Sequence, residues 1–238
     1  MGNPVYKRVV LKVSGEWLAG RKISFIDPQA LAFVSNEIIS AKDLGVELAV
    51  VVGGGNIIRG QFASTGAIDR VSADYMGMLA TIINSIALRD NLESRGIVTR
   101  VLSAVHINTL TEPYTKREAV RHLQNGRVIV LAGGTGNAYF TTDTTAALRA
   151  AEIEADVVMK GTKVDGVFED DPVKNPAATM LETLSYAEVL ERRLKVMDLT
   201  AILLCMENRL PIIVFNLEKQ GNLKRILSGE KIGSRVGA

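Results

Sequence analysis

Leu48-Ala49-Val50-Val51-Val52-Gly53-Gly54-Gly55-Asn56 is the stretch that decides the fold. Its first half is apolar and largely β-branched, the composition of a strand covered on both faces. Three glycines follow at once, and Arg59 stands shortly beyond them. Glycine lets a backbone turn tightly and brings its N–H groups close to an anion with no side chain between. The same design recurs on either side in the sequence. Val9-Val10-Leu11-Lys12-Val13 runs into Ser14-Gly15, and Val128-Ile129-Val130-Leu131-Ala132 runs into Gly133-Gly134-Thr135-Gly136-Asn137. Lys12 and Arg59 supply mobile positive charge. Three such turns at strand ends describe a crevice for more than one phosphate, and that points to phosphoryl transfer.

The order of elements agrees. Strand-like runs recur at 8–13, 47–52, 99–103, 127–132, 156–159 and 212–215. Helical patterns lie between them. Asp27-Pro28 gives an N-cap and a first-turn proline; Leu31, Val34 and Ile38 then share a face, and Gly45 ends the helix. A second helix is expected from about Asp74 to Arg95, with Met78, Ile82 and Ile86 in register before Gly96. Ser185 followed by Glu188 is a capping box. Strands alternating with helices imply a three-layer α/β/α sandwich on a mainly parallel sheet, and ligands in such sheets sit beyond the carboxyl ends of the strands.

Composition sets the limits. The 238 residues suffice for one domain, here taken as 1–238 with lobes of roughly 1–155 and 156–238. A formal charge of +2 gives no argument for nucleic acid. Cys205 is the one cysteine, so no internal disulfide forms; with no apolar leader or membrane-length run visible, a cytoplasmic setting is expected.

Each candidate has a plainer role beside its functional one. Lys12 sits in an apolar strand, where a buried ammonium needs an anion, although an edge lysine reaching solvent would look alike. Arg59 suits phosphate with its planar fork of donors, but could be a solvated helix residue. The triple glycine could be a plain loop. Asp74 either caps the helix expected to begin there or binds a sugar hydroxyl. Thr141 to Thr145, with Asp143 among them, has more hydrogen-bonding side chains than one N-cap uses. The loop after Val164 could pack Phe168 on a nucleotide base and offer Asp171 to a ligand. His106, His122 and Cys205 read as structural, and no metal-ligand spacing is visible. Walker A, protein-kinase, dinucleotide-fingerprint and serine-hydrolase motifs are all missing from the sequence.

Six stretches carry a family resemblance. They are Lys12 to Glu16, Gly53 to Gly60, Asp74 to Thr81, Gly134 to Asn137, Phe140 to Asp143 and Thr162 to Val167. Together with Lys195-Val196-Met197-Asp198, they resemble the bacterial uridylate (UMP) kinases of the amino acid kinase family, from about Tyr6 to Val236. The resemblance implies the amino acid kinase fold, ATP and UMP as substrates, Mg2+ with ATP, and a homohexamer inhibited by UTP. It assigns ATP to Lys12, Val13, Ser14, Gly15, Gly55, Arg59, Thr162, Phe168 and Asp171. It assigns UMP to Gly54, Asp74, Thr135, Gly136, Asn137, Ala138, Tyr139, Phe140, Thr141 and Thr142. Lys12 and Arg59 would meet the transferred group, and Asp143 and Asp198 would orient Lys12 or magnesium.

The chain departs from the family pattern at Arg21 to Ile26, where many members carry a glycine-rich segment linked to GTP activation, so weak or absent GTP activation is expected. Trp17 stands where a small residue is usual, and Ala138-Tyr139 where Pro-Phe is common. Two rival readings are a uridine-nucleotide sensor without turnover and a carboxylate or carbamate kinase of the same family. Retained Lys12 and Arg59 speak against the first, and the Asp74 to Thr81 stretch against the second.

Overall fold

A computed structural model describes residues 4–20, 25–58 and 68–237. Arg59, Gly60 and Arg21 to Ser24 lie outside the described residues, so their expected roles have no geometry here. In chain order the elements are β1 (Arg8–Val13), α1 (Gly15–Leu18), α2 (Pro28–Lys42), β2 (Glu47–Val52), α3 (Arg70–Glu93), β3 (Thr99–Ser103) and β4 (Glu112–Pro113). Then come α4 (Lys116–Gln124), β5 (Val128–Ala132), α5 (Thr142–Glu152), β6 (Val157–Thr162), β7 (Val167–Phe168), β8 (Met180–Leu181) and β9 (Thr183–Ser185). The chain closes with α6 (Tyr186–Glu191), α7 (Leu199–Glu207), β10 (Ile212–Asn216), α8 (Asn222–Leu227) and β11 (Ser234–Gly237).

Nine strands form one sheet in the order β4-β3-β5-β2-β1-β6-β10-β11-β9, and β7 pairs with β8 separately. Within the large sheet β10 and β11 run antiparallel; its other pairs are parallel. The alternation of strand side chains divides the apolar residues into two cores. Val9, Leu11 and Val13 pack with Val34 and Ile38 of α2, Ile82 and Leu88 of α3, and Leu223 of α8. Val10, one residue out of phase, packs with Ala146 and Ala150 of α5, Leu123 of α4 and Ile202 of α7. The result is the expected three-layer α/β/α sandwich. Full burial of a residue such as Leu48 contributes about 1.5–3 kcal/mol.

From β1 the chain builds β2, β5 and β3 on one side, then returns through β6 to build β10 on the other. The direction of winding therefore reverses between β1 and β6. Open α/β sheets bind ligands in the crevice outside such a reversal.

Local chemistry fixes the helix ends. Asp27 accepts from Gln29 N at 2.8 Å and Ala30 N at 2.9 Å, opening α2 at Pro28. Ser185 and Glu188 form the expected capping box. The long helix α3 begins earlier than expected. Asp69 accepts from Val71 N and Ser72 N, so the helix starts at Arg70, and Asp74 is an interior residue rather than a cap. Among the described residues α3 has the length and apolar composition of a membrane span, a run that the sequence reading passed over. Its inner face nonetheless packs in the first core and carries the buried polar residues Thr81, Asn84 and Ser85, so it is a core helix here.

Candidate active site

Two strands bring the charge together. Lys12 of β1 and Lys160 of β6 are register partners, so both ammonium groups leave the same face of the sheet side by side. Both reach one carboxylate on the first turn of α5. Lys12 Nζ lies 2.8 Å from Asp143 Oδ1, and Lys160 Nζ lies 2.7 Å from Asp143 Oδ2. Lys160 also donates to Val196 O at 2.7 Å. Burial pushes the Asp143 carboxyl up, but the two ammonium groups outweigh it and hold it below the ordinary carboxylate range. For Lys160 burial wins and pushes the ammonium down against the pull of Asp143. Lys12 and Lys160 share the one carboxylate of Asp143, with Asp198 a further attraction on Lys160, so the positive charge of Lys12 is only partly offset at the switch point. Lys12 is only 8% exposed, so that charge stands where an anion could be held with little competition from water.

The cap of α5 is Thr141, which accepts from Asp143 N at 3.0 Å and Thr144 N at 3.2 Å. Asp143 is therefore free of capping duty, which excludes the plainer reading of that residue. Asp198 is a cap: it accepts from Ala201 N at 2.9 Å and opens α7. Its carboxylate also receives Thr144 Oγ1 at 2.9 Å, Thr144 N at 3.1 Å and the hydroxyl of Thr141. Asp198 thus fastens α5 to α7 and fixes the helix that carries Asp143. Sequence reading missed Lys160. The signal was available, because a lysine interrupts the apolar strand 157–162 as Lys12 interrupts β1.

Glycine serves a different purpose at each turn. At Gly15 a Cβ would stand 2.5 Å from Asn56 Oδ1 and 2.8 Å from the Gly53 carbonyl carbon; at Gly54 it would stand 2.7 Å from Gly77 O. These positions need glycine because backbones touch there. Gly53 N donates to Val13 O at 2.9 Å, joining the first two turns. At Gly55 a Cβ would meet only Glu16 Cγ, at 3.9 Å. In the third turn Gly133, Gly134 and Gly136 adopt φ of 73°, 60° and 85°, the left-handed region that side chains disfavour. Thr135 Oγ1 accepts from Asn137 N and donates to Asn137 O, each at 3.2 Å, so its hydroxyl serves its own turn.

A cleft of about 380 Å³ opens between the second and third turns, lined by Gly54, Gly55, Asp74, Gly134, Thr141 and Thr142 among others. Phe140 also reaches it, and Arg70 stands at its edge. Asp74 projects from α3 and receives Tyr139 N at 2.8 Å and Arg70 Nε at 3.0 Å. Tyr139 holds φ at 71°, and the Arg70 guanidinium lies 5.5 Å from its ring centre. Asn137 is exposed and Ala138 half-buried in the same turn.

Across the sheet, Thr162 ends β6 with its hydroxyl donated to Val164 O at 2.7 Å. Phe168, half-buried, pairs with Met180 across β7 and β8. Asp171 accepts from Val173 N at 3.0 Å within its own loop. None of these three lines the cleft that holds Asp74.

Two other groups have structural roles. Cys205 is fully buried, and burial pushes its thiol up to about 12. Among the described residues Glu112, Glu118 and His122 come close enough to suggest a metal. However, Arg127 donates to His122 Nδ1 at 3.0 Å, and a guanidinium has only donors. The ring proton is therefore on Nε2 and donated to Glu112 at 2.9 Å, which leaves no free nitrogen lone pair for a metal.

The amino acid kinase family pattern matches residues 7–216 of this chain. The chain belongs to the amino acid kinase family. Within that family it is similar to the chloroplastic uridylate kinase PUMPKIN of Arabidopsis thaliana, with 52% identity over 233 residues, 98% of this chain and 69% of that relative. It superimposes on a UMP kinase from Bacillus anthracis with a TM-score of 0.95 and 41% identity, over 98% of this chain and 96% of the other. A UMP kinase from Ureaplasma parvum gives a TM-score of 0.92 and 37% identity, over 98% and 99%.

Proposed function

We infer that this protein is a UMP kinase, transferring the γ-phosphoryl group of ATP to the phosphate of UMP to give ADP and UDP. The observation that carries the reading is the convergence of the Lys12 and Lys160 ammonium groups on Asp143 beside the glycine-rich turns. Transfer between phosphates asks little covalent chemistry of a protein; it asks for in-line positioning and for neutralised charge. A UMP phosphate oxygen attacks the γ-phosphorus while the bond to the β,γ-bridging oxygen breaks, and the electron pair leaves with ADP. The attacking oxygen is already ionised, so no general base is needed, in keeping with the absence of a histidine among the site residues.

Roles follow from position. Lys12 and Lys160 stabilise charge on the transferring group, and Asp143 holds both ammonium groups in place. Backbone amides at Ser14, Gly15 and Gly55, with Val13 ending the strand beneath them, receive ATP phosphates, and Arg59 joins them. Thr162, Phe168 and Asp171 take the adenosine side. Asp74 accepts ribose hydroxyls of UMP, and Gly54 with the turn from Thr135 to Thr142 encloses the rest of that nucleotide. Asp198 acts through α5 rather than on the ligands. A lobe of roughly 1–155 would then hold UMP and one of roughly 156–238 would hold ATP.

Magnesium is best read as arriving with ATP. Asp143 Oδ1 is buried and has no well-directed hydrogen bond, but two lysines flank it and repel a second cation. Asp198 is saturated by its donors. The residues therefore fit a metal carried on the phosphates, where it would neutralise their charge, and not a protein-held ion.

Assembly is proposed from α3. Tyr75, Met76, Leu79 and Ile83 are 36–51% exposed on its outer face, while Met78 and Ile82 are buried inside. An apolar stripe of that kind calls for a partner, and a second copy within a homohexamer is the reading the family supports. UTP as an inhibitor, weak GTP activation and a cytoplasmic setting belong to the same proposal.

A coupled ADP-release assay with UMP, CMP, acetylglutamate and carbamate tests the function. Turnover confined to UMP, or strongest with it, is expected. Turnover on an acyl acceptor alone would overturn the substrate, and none on any acceptor would favour the sensor reading.

A further inference from the structure

One face of α3 reaches both of the turns that border the cleft. Thr81 Oγ1 accepts the N–H of Gly133 at 2.9 Å and donates to Met78 O at 2.6 Å. One helical turn on, Asn84 Nδ2 donates to Gly53 O at 2.8 Å and to Asn56 Oδ1 at 2.7 Å. Asn56 Nδ2 returns a bond to Asn84 Oδ1 at 3.0 Å. The orientation of both amides is dictated by Gly53 O, because a carbonyl can face only the nitrogen of Asn84. Thr81 is 3% exposed and Asn84 is fully buried. Thr81 also lines the cleft, but its hydroxyl is engaged by Gly133 N and Met78 O; Asn84 does not line it. Both are polar at positions where the apolar pattern of the helix would place an aliphatic side chain, and a buried polar group without such partners would be costly.

We propose that Thr81 and Asn84 are positioning residues for two different turns, and that their loss separates the binding of the two nucleotides. Thr81 holds the left-handed Gly133 in place, so the third turn keeps its shape around UMP. Asn84 holds Gly53 and Asn56 against Gly15, so the first and second turns present their amides to the ATP phosphates together. Because Gly54 lies in that same second turn, loss of Asn84 also disturbs UMP, whereas loss of Thr81 spares ATP. The inference rests on the proposed assignment of the turns to ATP and UMP.

The test compares Thr81→Val, Thr81→Ser, Asn84→Asp and Asn56→Ala in the full chain. KM is measured for each nucleotide, with melting temperature beside it. Trp17 is the only tryptophan and lies two residues beyond Gly15 in α1, so its fluorescence reads the binding of a non-hydrolysable ATP analogue without turnover. Thr81→Val should raise the UMP KM about tenfold, as loss of one buried hydrogen bond would, with ATP unchanged. Thr81→Ser, which keeps the hydroxyl, should restore it. Asn84→Asp cannot donate to Gly53 O and should weaken the ATP analogue about tenfold. If that variant does not fold, Asn56→Ala, at a half-buried site, should weaken the analogue in the same direction by a smaller factor.

A Thr81→Val variant that weakens ATP as much as UMP, or a folded Asn84→Asp variant that binds the ATP analogue normally, would overturn the proposal, as would lowered melting temperatures with neither KM changed. No UMP turnover in the unmodified chain would overturn the functional reading instead. The Trp17 titration would then still decide whether Asn84 sets the first two turns.

Discussion

The turn at Gly53–Asn56 and the turn at Gly133–Asn137 look alike in sequence and are built on different physics. In the first, glycine is needed because the backbones of Gly15, Gly53 and Gly77 come within contact distance, and none of its glycines has a left-handed φ. In the second, space is available around Gly134, where a Cβ would meet nothing closer than Met78 Cγ at 3.5 Å. There the constraint is the φ of 60°. The first turn is a close-packed joint; in the second, a left-handed backbone accompanies close packing at Gly133, where a Cβ would stand 2.7 Å from Ser103 Oγ and 2.8 Å from Val105 N, and acts alone at Gly134. A glycine-rich spelling therefore marks an amide-lined turn without saying which of the two reasons holds it.

The charged residues Lys12 and Asp143 belong to neither of these two turns. Lys12→Ala should lower kcat about a thousandfold with the fold retained, since it removes charge stabilisation from the transferring group. Near-normal turnover in a folded variant would sink the mechanism. Asp143→Asn should destabilise by about 3 kcal/mol, because two buried ammonium groups lose their common partner. Its pH signature follows from the direction of the shift. The Asp143 pKa is lowered on folding from 3.8, so its contribution is complete above that value and lost as the pH falls through the folded-state pKa. The unmodified chain should lose stability in that acid window by a margin that Asp143→Asn does not show in thermal melts.

Smaller effects separate the turns themselves. Asp74→Asn should weaken UMP by about 1.5–3 kcal/mol and leave ATP nearly unchanged, as isothermal titration with each nucleotide would read. Gly54→Ala should cost about 1–3 kcal/mol of stability through overpacking, and Gly54→Asn no less. Gly134→Ala should cost about 1 kcal/mol through backbone strain, and Gly134→Asn should recover part of it, because asparagine tolerates the left-handed region. Recovery by asparagine at Gly54 in the same melts would erase the distinction between a packed joint and a bend.

Much of this was legible in the sequence because β1, β2 and β5 are largely apolar runs that lead into glycine-bearing turns. Strands at 8–13, 47–52 and 99–103 were expected with the bounds they have. The short pieces β4, β7, β8, β9 and β11 were not, since two to four residues are too few for alternation to register and their pairing depends on neighbours far along the chain. Asp74 was misplaced at a helix end because Asp69, five residues earlier, offered the same capping chemistry. Lys12 stood out because Ser14-Gly15 follows it. Lys160 did not, because Gly161-Thr162 looks like ordinary strand; only the register of β1 with β6 makes the two lysines one feature. Thr81 and Asn84 were hidden for a similar reason. A polar residue inside a helix reads as surface until the elements packed against it are known.

The central claim is transfer from ATP to UMP, and the products in a single tube test it most directly. Phosphorus NMR of the protein with ATP, UMP and magnesium should show ADP and UDP rising together in equal amounts, with no inorganic phosphate. ADP accompanied by inorganic phosphate, or ATP left untouched in the presence of UMP, would contradict it.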